Sequence, residues 1–175
     1  MIHNKARLVA QGYSQMEGVD YNETFALVAR IESIRILLAL ACQLNFKLYQ
    51  MDVKIAFLNR LLKEDVHVAQ PKGFIDPHFL DHIQYLKKAL YGLKQAPKAW
   101  YDRLTQYLVS YGFIRGKTDQ TLFIKRKDGE LIVAQVYIDD IIFRSTKDEL
   151  AHNFSKLMQA EFEMKIGRAS CRERV

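Results

Sequence analysis

The chain has 175 residues, 49% of them hydrophobic and 26% charged, with a formal net charge of +6. That length suits one domain with a sizeable core, and that balance excludes a disordered chain. No apolar run reaches membrane-spanning length, and the start MIHNKARLVAQG is polar and basic with no apolar h-region. Membrane and secretory readings are therefore set aside, and the sequence predicts an intracellular chain. Two cysteines, Cys42 and Cys171, are too few for a disulfide framework. The positive surplus suits a polyanionic partner, although many proteins are equally basic.

In chain order, residues 5–10 (KARLVA) read as a short strand and residues 12–29 as irregular. Residues 32–43 form a strong helix pattern, with Ile31, Ile34, Leu38 and Cys42 on one face and Leu37 and Ala41 beside them. Cys42 is expected to be a buried small hydrophobe. Residues 47–57 alternate as a strand does: Leu48, Gln50, Asp52 and Lys54 face one way, Tyr49, Met51, Val53 and Ile55 the other. Residues 66–85 are loop-rich, with turn signals at Pro71-Lys72-Gly73 and Asp76-Pro77. Pro97 opens a helix, in which Trp100, Leu104, Tyr107, Leu108 and Tyr111 recur at helical spacing before Gly112. Those aromatics are expected in the core rather than stacked on bases.

Residues 121–126 and 131–136 flank Asp128-Gly129, a hairpin signal. A second tight turn is predicted at 137–140. Thr146-Lys147-Asp148-Glu149 fits a capping box opening a helix with Leu150, Phe154, Leu157 and Met158. The order predicts an α+β domain, an antiparallel sheet with helices on one face. The last ten residues, IGRASCRERV (166–175), resemble one translated frame of a high-throughput sequencing adapter and are set aside. Their three arginines and one glutamate account for a net +2, which leaves +4 on the remainder.

The segment VYIDDII places two adjacent aspartates, Asp139 and Asp140, inside an apolar run. Burying both unpaired is costly, but a hairpin tip can expose them to cations. Carboxylate oxygens suit hard divalent ions such as magnesium. Asp52, the one acidic residue in the alternating strand, supplies a third carboxylate, which makes a two-metal phosphoryl-transfer site feasible. On spacing alone a solvated turn remains an equal reading.

The segments KARLVAQGYSQMEGVDYNETFALVARIESIRILLALAC, LYQMDVKIAFLNR, LKKALYGLKQAPKAWYDRL and VYIDDIIF resemble, in order, the reverse transcriptases of copia-type LTR retrotransposons, especially the plant members. The resemblance spans residues 5–165. It implies a right-hand polymerase fragment, with fingers and palm in 1–165, the thumb absent, and 166–175 outside it. It implies catalytic, metal-holding Asp52, Asp139 and Asp140, with the Val53 carbonyl in the metal shell. Phe57 would block the ribose 2′-OH, Gln95 would sit beside the nucleotide, and Arg7 with Lys5 would grip the triphosphate. Tyr137 would lie along the template–primer, and Lys87, Lys88, Lys94 and Lys98, which flank the glutamine motif, would line its path.

The same resemblance implies two Mg2+ ions (Mn2+ as a substitute), deoxynucleotides and an RNA or DNA template–primer. It also implies a surrounding Gag-Pol polyprotein with thumb and RNase H, and a cytoplasmic setting in virus-like particles. Against the family pattern, Leu27 stands for proline, Ile55 for serine or threonine, Arg60 and Arg144 for glycine, and Ile138 for valine. Pro→Leu, Thr→Ile, Gly→Arg and Val→Ile each follow from one C-to-T or G-to-A change, so a decaying copy is expected. Arg60 and Arg144 would strain a backbone that glycine relieves, and Arg144 would disturb the metal site. The rival readings are a catalytically inactive remnant that at most binds nucleic acid, and a generic α+β RNA-binding sheet. His78 and His82, four residues apart, lack further ligands nearby and are not expected to hold a metal. Lys125-Arg126-Lys127 reads as a solvated hairpin end.

Overall fold

The computed structural model describes residues 7–24, 29–43 and 47–169, with side chains through 167. In chain order its elements are α1 (Ile31–Gln43), β1 (Leu48–Val53), β2 (Leu61–Val68), β3 (Gln84–Lys88), α2 (Ala96–Ser110), β4 (Ile114–Arg115), β5 (Leu122–Lys127), β6 (Glu130–Tyr137), β7 (Asp140–Ser145), α3 (Asp148–Glu161) and β8 (Met164–Ala169). The chain divides into two compact units, Met1–Phe25 with Phe57–Trp100, and Ala26–Ala56 with Tyr101–Val175.

The second unit is built on a six-stranded sheet ordered β4-β5-β6-β7-β1-β8, with every neighbouring pair antiparallel. Two local signals shape it. Asp128 and Gly129 take φ of 53° and 78°, the paired left-handed conformation of a two-residue hairpin turn, so β5 and β6 pair down to Lys127 and Glu130. The β6–β7 turn is as tight: Tyr137 pairs with Asp140, and Ile138 takes φ 56°.

Phe123, Ala134, Phe143 and Tyr49 form one cross-strand row. Helices α2 and α3 cover that row. Tyr101 of α2 reaches Phe123 (6.3 Å between ring centres), and Phe154 of α3 reaches Phe143 (5.0 Å). The Tyr107 hydroxyl donates to the Leu157 carbonyl at 2.8 Å, which ties α2 to α3. The expected helix-backed antiparallel sheet is therefore present for these two helices. α1 engages the sheet elsewhere. Its Ser33 bonds the Asp119 carboxylate, which also accepts from Gln135, a residue one step out of the Phe123 row and so on the opposite face.

Several expectations need correction. Cys42 is exposed. The buried side of α1 runs through Ile34, Leu37, Leu38 and Ala41, and Cys42 lies about 100° round the helix from Ala41. Residues 7–10 of KARLVA form no strand, only an isolated bridge from Val9 to Tyr91. The stretch 66–85 is a loop only in its middle. β2 and β3 pair around it; burial alternates along β2, but Leu61 lies on its exposed side and Glu64 on its covered side, so the sequence pattern does not echo it, and β3 is largely exposed. The capping box does not form. Lys147 is the N-cap with no side-chain cap, because the Thr146 hydroxyl is spent on Glu130 and on the Leu131 N–H. Within the segment set aside as 166–175, residues 166–169 continue β8 against β1. Leu27, Lys5 and Cys171 lie outside the described residues.

In the first unit, residues 9–12 lie against the turn before α2. The Ala10 N–H donates to the Tyr91 carbonyl at 2.7 Å. Only glycine permits this approach. A Cβ on Gly92 would stand 1.9 Å from the Ala10 carbonyl oxygen, and one on Gly12 would stand 2.1 Å from that of Gly92.

Two stability predictions follow from this framework. Burial, and then the neighbouring Tyr111, push the Tyr107 phenol up to about 12. The folded chain thus resists ionisation that the unfolded chain accepts near pH 10. Its contribution is fully present below pH 10 and is lost as pH rises toward 12. Unfolding midpoints measured between pH 9 and 12 should fall in the parent and fall less in Tyr107→Phe, which lacks the titrating group. The second concerns Ile55, which is half exposed yet holds φ 47°, a conformation that costs a β-branched residue about 1–2 kcal/mol. Ile55→Asn is expected to raise stability by about 1 kcal/mol in urea titration, because asparagine tolerates that backbone.

Candidate active site

The site in the second unit grows from strand register. Asp52 of β1 pairs directly with Asp140 of β7, and Asp140 pairs with Tyr137 across the turn. Alternation puts Gln50, Asp52, Asp140 and Tyr137 on the face away from Phe143. Asp139 occupies the turn itself, and its carbonyl accepts the Val53 N–H at 2.9 Å, anchoring the hairpin tip to the end of β1.

Two carboxylates directly opposite repel one another. The structure supplies partial compensation. Gln50 Nε2 donates to Asp140 Oδ1 at 3.0 Å, and Lys165 of β8 is the register partner of Asp52 on its other side. Next along, Lys54 pairs with Glu163 at 2.5 Å. Gln50 was legible as a residue sharing the face of Asp52. Lys165 was not, because no strand was predicted at its position. Register brings Asp52 and Asp140 together; among the described residues, no group of three or more His, Cys, Asp or Glu side chains is gathered to hold a metal ion.

Arg144 shares this face but stands four residues beyond Asp140, about 13 Å along β7. That exceeds the ~8 Å screening length in physiological salt, so its charge acts weakly on the aspartates. Burial lowers its pKa. Neither Arg144 nor Arg60 takes a left-handed backbone; among the described residues the non-glycine positions that do are Ile55, Asp128 and Ile138. The expected glycine-type strain at the two arginines is thus absent.

The residues expected at the nucleotide lie in the first unit. The Arg7 guanidinium stacks over the Tyr91 ring at 4.2 Å, and that ring lies 4.5 Å from Phe57. Gln95 is only 2% exposed, and its amide is held internally. Its Oε1 accepts from Gln15 Nε2 at 3.1 Å, and its Nε2 donates to the Asp20 carbonyl at 3.5 Å. Gln15 also accepts the Lys94 N–H at 3.0 Å, while Lys94 Nζ donates to the Gln15 carbonyl at 2.7 Å. Lys98 pairs with Glu23. Lys94 and Lys98 are therefore engaged within the protein. Gln15 and Tyr91 carry this arrangement and were not singled out from sequence, since neither stands in a pattern that distinguishes it from its neighbours.

A helix-backed antiparallel sheet bearing aspartates that face one another across two strands defines a mixed α/β protein with a half-exposed carboxylate site. The chain belongs to the reverse transcriptase family: the family model described as "Reverse transcriptase (RNA-dependent DNA polymerase)" matches residues 1–171. It is 43% identical over 161 residues to the Retrovirus-related Pol polyprotein from transposon RE1 of Arabidopsis thaliana, covering 92% of this chain and 11% of that protein. It is 43% identical over 159 residues to the RE2 counterpart from the same plant, covering 86% of this chain and 11% of that one. The Pol polyprotein from transposon TNT 1-94 of Nicotiana tabacum is 34% identical over 166 residues, with 94% and 12% covered. The chain thus spans about a ninth of these curated relatives, and its likeness to plant copia-type elements agrees with the motif resemblance. No solved structure matches. No helix among the described residues is long and apolar enough to cross a membrane.

Proposed function

We propose that this chain is the fingers-and-palm portion of an RNA-directed DNA polymerase, which adds deoxynucleotides to a primer 3′-OH during retrotransposon replication. The observation that carries this reading is the direct cross-strand pairing of Asp52 with Asp140 beside the Asp139 turn. Family membership supports it.

The donor set is all hard oxygen, which fits magnesium or manganese. Asp52, Asp139 and Asp140 would hold two ions, with the Val53 carbonyl joining them. When bound, the ions supply charge stabilisation to the attacking and leaving oxygens of phosphoryl transfer. The chain's own groups do the rest. Gln50 orients the Asp140 carboxylate. Arg7, with Lys5, binds the triphosphate, for which a planar guanidinium fork is suited. Phe57 excludes a ribose 2′-OH. Gln95 reaches a nucleotide only by releasing Gln15 and Asp20, since it is buried. Tyr137, exposed opposite Asp140, faces the template–primer, to which Lys94 and Lys98 contribute if they leave their present partners. The setting is cytoplasmic, within virus-like particles and a longer Gag-Pol polyprotein.

The second reading is a catalytically silent chain that keeps nucleic-acid affinity. One observation favours it: three carboxylates are not gathered among the described residues. The purified chain should be given a primer–template and one deoxynucleotide, with Mg2+ or with EDTA. Metal-dependent extension by one nucleotide is expected. A folded chain that binds the duplex and never extends it, in either Mg2+ or Mn2+, would establish the second reading.

A further inference from the structure

Tyr91 has no part in the site as assigned so far, yet it touches both residues expected at the sugar and the triphosphate. Its ring centre lies 4.5 Å from that of Phe57, with the planes at 49°. The Arg7 guanidinium carbon stands 4.2 Å from the same ring centre, within cation–π range. The backbone beneath the ring is fixed as well. The Tyr91 carbonyl accepts the Ala10 N–H at 2.7 Å, Val9 bridges to Tyr91, and Gly92 permits the close approach of Ala10. All of these contacts lie within the first unit.

We propose that Tyr91 is a specificity-determining positioning residue, which holds the Phe57 ring against retreat and couples the place of Arg7 to the choice of sugar. The inference rests on reading Phe57 as the 2′-OH barrier. A steric barrier discriminates only if it cannot move aside cheaply. Phe57 is 7% exposed, so its retreat requires space among its neighbours, and the Tyr91 ring occupies one side of it. Truncating Tyr91 opens a void into which Phe57 can swing, and the pocket then admits a ribonucleotide. Arg7 loses its aromatic seat in the same change, so triphosphate affinity falls for both sugars alike. The ratio between the sugars isolates the effect on the barrier.

The test uses the full chain and its Tyr91→Phe, Tyr91→Leu and Phe57→Val variants. Each receives a primer–template with cytosine next, and kcat/KM is measured for dGTP and GTP. Tyr91→Phe is expected to keep the dGTP:GTP ratio within about twofold, because the ring remains. Tyr91→Leu is expected to lower it by about tenfold or more, as Phe57→Val should, a size typical of steric discrimination in a pocket. A purely structural role for Tyr91 would lower both substrates together and leave the ratio unchanged. If Phe57→Val lowers the ratio and Tyr91→Leu does not, the inference is wrong and the barrier stands. If Phe57→Val leaves the ratio unchanged, the barrier reading fails and the inference fails with it. If the parent chain extends nothing, displacement of methylanthraniloyl-dGTP by dGTP and GTP gives the same ratio from binding, read on the same four proteins. A folded parent that binds neither nucleotide overturns the inference and the assigned roles of Arg7 and Phe57 together.

Discussion

Asp140→Asn is expected to lower nucleotide addition by about 1,000-fold. Asp140 faces Asp52 directly across β7 and β1, and a carboxylate that holds a dication contributes several kcal/mol to transition-state charge stabilisation. Three factors of ten correspond to about 4 kcal/mol. The substitution keeps the shape and an oxygen acceptor for Gln50, so the loss is one of charge. A second readout has the opposite sign. Without metal, removing one of two facing like charges should raise the unfolding midpoint slightly. Millimolar Mg2+ should then stabilise the parent more than the variant. A variant that extends primers at the parental rate would remove Asp140 from the site. A variant that shows the same Mg2+ response would remove it from the metal set.

Phe143→Ala is expected to destabilise the fold by about 3–5 kcal/mol, measured by urea titration. Phe143 is 0% exposed on a strand with neighbours on both sides. Its ring stacks on Tyr49 at 5.3 Å and meets Phe154 of α3 at 5.0 Å edge-on. Truncation therefore opens a cavity between sheet and helix. The loss is large against the roughly 5–15 kcal/mol that holds a domain together. Phe143→Leu, which keeps most of the volume, should cost less. Equal costs for the two variants would show that the loss comes from the ring contacts, which both variants lack, and not from the volume that leucine keeps.

Much of the helix-and-sheet framework was legible because its signals are local. Pro97 and the spacing of Trp100, Leu104 and Leu108 define α2, and Asp128-Gly129 defines the β5–β6 turn. The alternation read over residues 47–57 placed Gln50 and Asp52 on one face, where they are, although the strand ends at Val53. Illegible parts had signals that pointed two ways. Thr146 matched a capping pattern, but a hydroxyl makes few bonds and this one serves Glu130 and Leu131. Cys42 fell within a broad apolar helix, and only packing shows which arc is covered. Burial alternates along β2, but Leu61 lies on its exposed side and Glu64 on its covered side, and β3 is largely exposed, so hydrophobic periodicity could not mark them.

The sequence by itself determined the class of chain, its helix and hairpin positions, and the aspartates that define the candidate site. It could do so because helical period, strand alternation and turn chemistry act over a few neighbouring residues. Only the tertiary structure decided which aspartates face one another, that Lys165 flanks Asp52, that Gln95 is buried against Gln15, and that Tyr91 joins Arg7 to Phe57. Those relations join residues far apart in the chain. Strand register, close packing and side-chain hydrogen bonds set them, and no local pattern encodes which distant partner is met.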